Sequence, residues 1–200
     1  MGKVLLLALV GYGIGSLPFG YWTGSLLGVD IRRSGSGNIG ATNVFRVLGV
    51  VPGLLVLALD VGKGALSAHL GLTYGGASGA WGASLAGLAA IAGHNWSFLL
   101  GFRGGRGVAT AAGVVFYLVP GAALLGLLVT ATVILITRYA SLGSLLGSAV
   151  GGLLVLATPG PFPYKVLAVL AVGFIYLRHL PNIRRLLAGQ ELRLGDRRRK

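Results

Sequence analysis

The sequence lacks cysteine and has very few acidic residues. Cysteine is absent, and Asp and Glu together number four in 200 residues. The first absence excludes disulfides, thiol nucleophiles and cysteine-ligated metals. The second leaves too few carboxylates for a two-metal phosphoryl-transfer site or a Mg²⁺-bound nucleotide, so we expect neither a metal nor another cofactor. A Gly-x-Ser-x-Gly elbow is also missing, which disfavours a covalent acyl-enzyme.

Charged residues of either sign are scarce as well. They make up 10% of the chain, whereas hydrophobic residues make up 54% and the mean hydropathy is +0.83. Such a chain cannot surround an apolar core with a polar exterior, which excludes a soluble domain. We predict an all-α, multi-pass membrane protein with a single transmembrane domain over residues 1–200. A spanning helix needs about 20 apolar residues, which leaves room for six or seven spans.

The apolar runs predict a bundle of seven transmembrane helices joined by short loops. The N-terminal segment has no small-x-small cleavage site and is therefore the first predicted span. The fourth and sixth spans are short and rich in Gly, Ala and Ser, as expected where helices pack closely inside a bundle. The predicted spans cover residues 4–27, 52–71, 79–100, 107–119, 121–137, 143–157 and 164–180.

The distribution of cations predicts the orientation. Of 17 Lys and Arg residues, Lys3 and Lys165 fall on one side and Lys63 lies inside a span, which leaves the other 14 on the opposite side. Positively charged loops stay in the cytoplasm. We therefore expect the N-terminus outside, the C-terminus in the cytoplasm and the cationic loops on the cytoplasmic face. The same rule, together with anionic lipid headgroups, explains the basic tail of residues 197–200.

The first cytoplasmic stretch combines glycines with short hydrogen-bonding side chains. Residues 34–43 read SGSGNIGATN, and Arg46 follows three residues later. Glycine permits positive φ and close approach of the backbone, so that successive N–H groups can converge on an anion. We predict an anion-binding loop, with a flexible connector as the alternative. The candidate residues are Ser36, Gly37, Asn38, Gly40, Thr42, Asn43 and Arg46.

The second stretch, residues 101–107, places glycines between two arginines. The sequence GFRGGRG precedes a span of small residues. A backbone nest, a helix N-terminus and two guanidinium groups together predict a phosphate site. The Gly-Lys-Ser/Thr ending of a Walker loop is missing, which disfavours a nucleotide, and a plain topogenic turn is the alternative. The candidate residues are Arg103, Gly104, Gly105, Arg106, Gly107 and Thr110.

The third stretch has three polar residues at helical spacing. His179, Asn182 and Arg185 are three residues apart and would share one face of a helix that Pro181 starts or bends. Ser141, in a smaller loop, and Glu191, beyond the helix, are further candidates. Such a segment is typical both of a binding site and of an amphipathic helix at the membrane surface. The spacing alone does not separate the two.

Two opposite charges lie inside a predicted span. Asp60 and Lys63 are three residues apart and share a helix face, and an unpaired charge at the bilayer centre costs about 2.5 to 3.5 kcal/mol. They should pair with each other or face the site, and we keep Lys63 as a candidate substrate-binding residue. His94 approaches the cytoplasmic face, where it either lines the site or contributes to packing.

Together these motifs resemble the bacterial acyl-phosphate:glycerol-3-phosphate acyltransferase family. The similarity rests on residues 35–46, 60–64, 93–110 and 179–191, which occur in the family's order and extend over nearly the whole chain. The chain has arginine at 103 and 106 where the family usually has lysine, and serine at 97 where it often has proline. The positive charge is kept, although arginine and lysine differ in hydrogen-bonding geometry.

The resemblance implies an enzyme of the bacterial inner membrane with its active site on the cytoplasmic face. The family transfers a fatty acyl group from acyl phosphate to the 1-hydroxyl of glycerol 3-phosphate, giving lysophosphatidic acid and phosphate. The expected partners are these two substrates and membrane lipids, with no nucleic acid and no metal. The implied catalytic residues are Ser36, Arg46, Arg103, His179 and Asn182. The implied substrate-binding residues are Gly37, Asn38, Gly40, Thr42, Asn43, Lys63, Gly104, Gly105, Arg106, Gly107, Thr110, Ser141, Arg185 and Glu191.

The chemistry of these groups fits two phosphorylated substrates. We expect the amides of residues 104–107, with Ser36 and Asn38, to hold the acyl-phosphate head and the developing oxyanion. The residues expected to hold glycerol 3-phosphate are Arg46, Arg103, Ser141, His179, Asn182 and Arg185. The proton of the attacking hydroxyl goes either to the leaving phosphate, which we prefer, or to His179. A transporter of phosphate or organophosphate is the alternative function, and a passive lipid-binding bundle is a third.

Overall fold

The computed structural model describes residues 2–195, and these residues form helices and connecting turns without a strand. Short 3₁₀ turns lie at Ile31–Arg33, Gly76–Ser78 and Phe98–Leu100. The α-helices in this part of the chain are α1 (Gly2–Gly15), α2 (Phe19–Leu26), α3 (Ala41–Leu48), α4 (Val50–Tyr74), α5 (Gly79–Asn95), α6 (Val108–Leu118), α7 (Pro120–Thr137), α8 (Ala140–Ala157) and α9 (Phe162–Leu187).

Five helical stretches within residues 2–195 are long and apolar enough to cross a membrane. They are α4, α7, α8, α9 and the combined segment Gly2–Leu26, whereas α5 and α6 have 17 and 11 residues. The prediction of an all-α, multi-pass membrane protein is confirmed. The seven-span count and the orientation stay predictions, and the basic tail of residues 197–200 lies outside the described residues.

The first predicted span is broken into α1 and α2 around Pro18. Proline has no N–H to continue the helical ladder, and it caps α2 at its N-terminus. The break exposes backbone carbonyls, which bond to distant side chains. The carbonyl of Leu17 accepts a hydrogen bond from Lys63 Nζ (3.1 Å), and that of Ser16 accepts one from Ser97 Oγ (2.6 Å). The break therefore ties the N-terminal segment to α4 and to the end of α5.

Two helix ends differ from the limits of the predicted spans. The third predicted span extends to residue 100, but α5 ends at Asn95 and the chain turns away through Phe98–Leu100. The last predicted span stops at residue 180, but α9 continues through Pro181 to Leu187. Pro181 thus neither starts nor ends a helix. The longer α9 carries the third motif as one rigid helical surface.

Small residues let the helices approach closely around a shared core. Gly64 of α4 lies against the backbone carbonyl of Thr110 in α6, and Gly11 of α1 lies against that of Ala86 in α5, so neither position has room for a Cβ atom. Buried Ile91 and Ile175 belong to a core cluster that joins α4, α5, α6 and α9. This packing brings the three polar motifs of the sequence to one end of the bundle.

Candidate active site

A cavity of about 530 Å³ joins the three motifs. Its polar end receives Arg46 from α3, Arg106 from the loop before α6, and His179, Asn182 and Arg185 from α9. The prediction that separate loops converge on one pocket is therefore supported by the geometry. Three guanidinium groups in one pocket give it a positive charge that favours anions.

The other end of the same cavity is apolar. It extends between α6, α7, α8 and α9, where Val115, Leu127, Ile134 and Val172 form part of its wall. Small residues on the facing helices, such as Gly151, leave this space open. One continuous volume therefore offers cations at one end and hydrocarbon at the other, which suits an amphipathic ligand with an anionic head.

The first glycine-rich loop is held in shape by Asn43. Its Oδ1 accepts a hydrogen bond from the N–H of Ser36 (2.8 Å), and its Nδ2 donates to the carbonyls of Ile31 (3.2 Å), Ser34 (3.0 Å) and Asn38 (2.9 Å). The side chain is 1% exposed. Asn43 also lines the cavity, so its predicted contact with substrate stays a prediction, while its observed hydrogen bonds organise the backbone of the loop.

The other residues of this loop divide into two groups. Those that line the cavity are Ser36, Asn38, Gly40 and Thr42, whereas Gly37 does not line it. Gly37 has a φ of +73°, which a residue with a Cβ rarely adopts, so its place in the motif is conformational.

The second glycine-rich loop rests on the end of α5. The N–H of Gly105 donates to the carbonyl of His94 (2.9 Å), so this amide is not available to an oxyanion. A Cβ atom at Gly104 or Gly105 would meet the backbone or the ring of His94. We predicted that the amides of residues 104–107 bind a phosphate. Neither Gly104 nor Gly105 lines the cavity and both pack on α5, which disfavours that role for these two, whereas for Gly107, which lines the cavity, it stays a prediction.

Only one of the two arginines in this loop reaches the cavity. Arg106 lines it together with Gly107, whereas Arg103 is exposed and contributes nothing to its wall. Burial lowers the pKa of Arg106 to about 10, with Arg185 and Arg46 acting in the same direction and Glu191 against it. The Arg106 guanidinium therefore remains cationic at neutral pH. Thr110 is buried, and it does not line the cavity either.

The predicted polar face of α9 is confirmed. His179 and Asn182 are both 1% exposed, and with Arg185 they line the cavity. His179 Nδ1 lies 2.8 Å from the carbonyl of Ile175. A carbonyl oxygen only accepts, so we assign the proton to Nδ1, which leaves Nε2 of the neutral ring as an acceptor. That nitrogen can receive a proton from a hydroxyl.

Glu191 connects three of the predicted substrate donors. Its carboxylate accepts hydrogen bonds from Ser141 Oγ (2.8 Å), Arg185 Nε (2.7 Å) and Asn182 Nδ2. Burial alone would raise the pKa of Glu191, but these three hydrogen bonds and the charge of Arg185 hold it below its usual value. We predicted that Glu191 binds substrate. Glu191 lines the cavity, and its observed contacts indicate that it orients these three donors, while its direct contact with substrate stays a prediction.

Asp60 and Lys63 form the predicted ion pair inside α4. Lys63 Nζ lies 2.8 Å from Asp60 Oδ1, 2.9 Å from His94 Nδ1 and 3.1 Å from the carbonyl of Leu17. Asp60 and His94 line the cavity, but Lys63 does not. All three Lys63 donors have protein partners, which disfavours the predicted contact of Lys63 with substrate. This cluster supports the wall of the cavity beneath the second loop.

Sequence reasoning gave no role to Arg178. Its Nε and Nη2 each donate to a loop carbonyl at 3.0 Å, the acceptors being Gly105 and Gly104. The residue adjoins His179 and looks like part of the basic membrane-surface segment. No spacing rule connects positions 104 and 178, so only the packing of α9 against the loop shows this contact.

Comparisons with known proteins agree with this geometry. A family model described as Glycerol-3-phosphate acyltransferase matches residues 5–189. The chain belongs to the glycerol-3-phosphate acyltransferase family. A family member from Moorella thermoacetica, glycerol-3-phosphate acyltransferase 2, is 47% identical over 194 residues, which cover 96% of this chain and 98% of the relative. Another from Symbiobacterium thermophilum is 42% identical over 98% of this chain and 96% of the relative.

Two solved structures of a glycerol-3-phosphate acyltransferase have the same fold. Both are of PlsY (YgiH), an integral membrane glycerol 3-phosphate acyltransferase that is 40% identical to this chain. The glycerol 3-phosphate form has a TM-score of 0.91 and covers 96% of each chain. The lysophosphatidic acid form has a TM-score of 0.89 and covers 96% of this chain and 95% of the other. The family resemblance noted from the motifs is therefore confirmed.

Proposed function

We propose that the protein transfers a fatty acyl group from an acyl phosphate to the 1-hydroxyl of glycerol 3-phosphate. The products are 1-acylglycerol 3-phosphate and inorganic phosphate, and the reaction is the first step of phospholipid synthesis. The observation that carries this proposal is the single cavity with a cationic end and an apolar end. An acyl phosphate has a matching distribution of charge and hydrocarbon.

The solved relatives support the same assignment. Their structures contain glycerol 3-phosphate in one form and lysophosphatidic acid in the other, an acceptor and an acylated product. We propose that this chain binds both kinds of molecule, with their phosphate groups at the polar end of the cavity. Arg46, Arg106 and Arg185 would neutralise two dianions that otherwise repel each other, and Ser36, Asn38 and Asn182 would add hydrogen bonds.

The reaction needs little from the protein besides position and charge. An acyl phosphate is already an activated mixed anhydride. The glycerol oxygen attacks the acyl carbon, the bond from that carbon to the phosphate oxygen breaks, and the phosphate leaves with the electron pair. Holding the two substrates in contact supplies much of the acceleration. Cations near the carbonyl and phosphate stabilise the negative charge that develops.

The proton of the attacking hydroxyl has two acceptors within this scheme. The leaving phosphate can take it, which makes the donor its own base, or His179 Nε2 can take it. We propose the phosphate route. A His179→Gln variant should then show a raised KM for glycerol 3-phosphate and keep most of its kcat. A collapse of kcat at saturating acceptor with normal KM would instead assign the base to His179.

The decisive assay uses purified protein in detergent with palmitoyl phosphate. We expect phosphate release that depends on added glycerol 3-phosphate, together with formation of palmitoyl-glycerol 3-phosphate. A transporter of organophosphate needs two compartments and would release no phosphate here. Failure of the wild-type protein to turn over would contradict the proposal. Arg184→Gln, an exposed cation of α9 outside the cavity wall, is the matched control and should keep wild-type rates.

We further propose a bacterial inner-membrane location with the polar end of the cavity facing the cytoplasm. The support is the clustering of cations: Arg46, Arg106, Arg178 and Arg185 all lie near this end, where the positive-inside rule places them. Soluble glycerol 3-phosphate would then enter from the cytoplasm and the acyl donor from the membrane.

A further inference from the structure

Arg178 makes an unusual pair of contacts for a half-buried cation. Among residues 2–195 it forms no ion pair with a carboxylate, and its guanidinium group instead donates to two successive backbone carbonyls, those of Gly104 and Gly105 at 3.0 Å each. Its Cζ also lies 5.8 Å from the ring centre of Trp96. A planar guanidinium presents paired donors in a fixed geometry, so it can donate hydrogen bonds to two adjacent backbone carbonyls at once.

The same two glycines are held from the opposite side by α5. The N–H of Gly105 donates to the carbonyl of His94, and the His94 ring lies against the Gly105 backbone. That ring is fixed in turn, because Lys63 Nζ donates to its Nδ1 and is paired with Asp60. The backbone at residues 104–105 is therefore clamped between a buried cluster and Arg178.

This clamp, the contact of Arg178 with the backbone of residues 104–105, lies next in the chain to two residues of the cavity wall. Arg106 follows the clamped backbone directly, and His179 follows Arg178 directly. Both Arg106 and His179 line the cavity, from different elements, while Arg178 does not. The contact between Arg178 and the loop therefore fixes how far the Arg106 guanidinium lies from the polar face of α9.

We propose that Arg178 is a positioning residue. It holds the second glycine-rich loop against α9, so that Arg106 can contact the substrate phosphate at the correct distance from His179. It acts through Arg106 and does not touch substrate. The Trp96 ring packs edge-on against Phe174 of α9 at a centroid distance of 5.3 Å and lies next to the Arg178 guanidinium, so it helps to hold that side chain in place. This inference rests on the proposed function.

A double-mutant cycle with Arg106 tests it. We would measure kcat and KM for both substrates in Arg178→Gln, Arg106→Gln and the double variant, with Arg184→Gln as the control on the same helix. Arg178→Gln should lower kcat/KM at least tenfold, and Arg178→Lys, which keeps the charge but has one donor nitrogen in place of the planar pair, should lower it less. If Arg178 acts through Arg106, the double variant should be within about threefold of Arg106→Gln alone.

Several outcomes would overturn the inference. Multiplicative losses in the double variant would show that the two arginines act independently. An Arg178→Gln variant as active as Arg184→Gln would show that the clamp is dispensable. A purely structural role would show as a lower melting temperature and a smaller active fraction in both Arg178→Gln and Arg178→Lys. The KM of both variants would then equal that of the wild type.

A binding measurement separates this inference from the proposed function. Inorganic phosphate should raise the melting temperature of the wild-type protein, since it binds the folded state. We expect a smaller phosphate-dependent shift in Arg178→Gln and an unchanged shift in Arg184→Gln. If the wild-type protein shows no acyl transfer, the proposed function fails and this shift still tests the clamp. If phosphate raises the melting temperature by the same amount in all variants, the inference about Arg178 is wrong, whatever the activity.

Discussion

At the residue scale, only one of the two arginines of the second loop lies in the cavity wall. Arg106 lines the cavity and Arg103 is exposed, although their sequence contexts are alike. A hydrogen bond to a charged group contributes about 1.5–3 kcal/mol, so removing one from the substrate phosphate should cost about 10- to 150-fold in kcat/KM. We predict that loss for Arg106→Gln and less than about threefold for Arg103→Gln, measured as acceptor-dependent phosphate release. The reverse order would restore the catalytic role that the sequence suggested for Arg103.

Glu191 gives a second residue-scale prediction, on pH. Hydrogen bonds from Ser141, Asn182 and Arg185 hold its pKa below the ordinary 4.5 in the folded protein. A depressed carboxyl pKa stabilises the folded state above the unfolded pKa, and this contribution is lost as pH falls through the folded value. Glu191→Gln should therefore melt at a lower temperature than the wild type at pH 7, and the difference should shrink below about pH 4.5. A constant difference over pH 7 to 3.5 would contradict this assignment.

At the element scale, glycines on both helices let α4 and α6 pack closely, and Gly64 is the one that α4 contributes. A Cβ atom at Gly64 would meet the carbonyl of Thr110, whereas Gly62, two residues earlier and exposed, has nothing within 4 Å. Overpacking costs about 1–3 kcal/mol, so Gly64→Ala should lower the free energy of unfolding by that amount. Gly62→Ala is the matched control and should leave it unchanged or raise it. Thermal unfolding in detergent measures both, and equal melting temperatures would contradict the packing.

Helical spacing was sufficient to predict the helix that carries the third motif, but not the residues that contact it in the folded protein. The three-residue spacing of His179, Asn182 and Arg185 places them on one face of any helix, and the structure confirms that face. The partners of Asn43 and Arg178 depend on where loops fold back and which helices meet. Spacing carries no information on those contacts. For the same reason the sequence could not show that Gly104 and Gly105 pack on α5.

At the scale of the whole molecule, composition was sufficient to predict the all-helical membrane fold, and helix length within residues 2–195 accounts for five of the seven predicted spans. α6, with 11 residues, is shorter than a bilayer requires, α5, with 17 residues, is at the lower limit, and Gly2–Leu26 is bent at Pro18. The convergence of three distant motifs on one cavity was expected from their shared sidedness, and the geometry agrees. The apolar extension between α7 and α8 was not foreseen from the individual motifs, since no one helix defines it.

The predicted orientation can be tested because the chain has no cysteine. Gly160→Cys lies between α8 and α9, and Gln190→Cys lies beyond α9; both positions are exposed. An impermeant maleimide should label Gly160→Cys in intact cells and Gln190→Cys only after the membrane is opened. The opposite pattern would reverse the orientation. Labelling of both in intact cells would show that α9 does not cross the bilayer.

The two-ended cavity also bears on how the enzyme encounters its donor. We expect a donor whose hydrocarbon occupies the space between α6, α7, α8 and α9, and whose head group meets the arginines, to arrive by lateral diffusion within the membrane. Turnover should then saturate with the mole fraction of donor in a mixed micelle or vesicle, and added inert lipid should slow it at constant total donor. The acceptor, which comes from water, should follow ordinary bulk concentration.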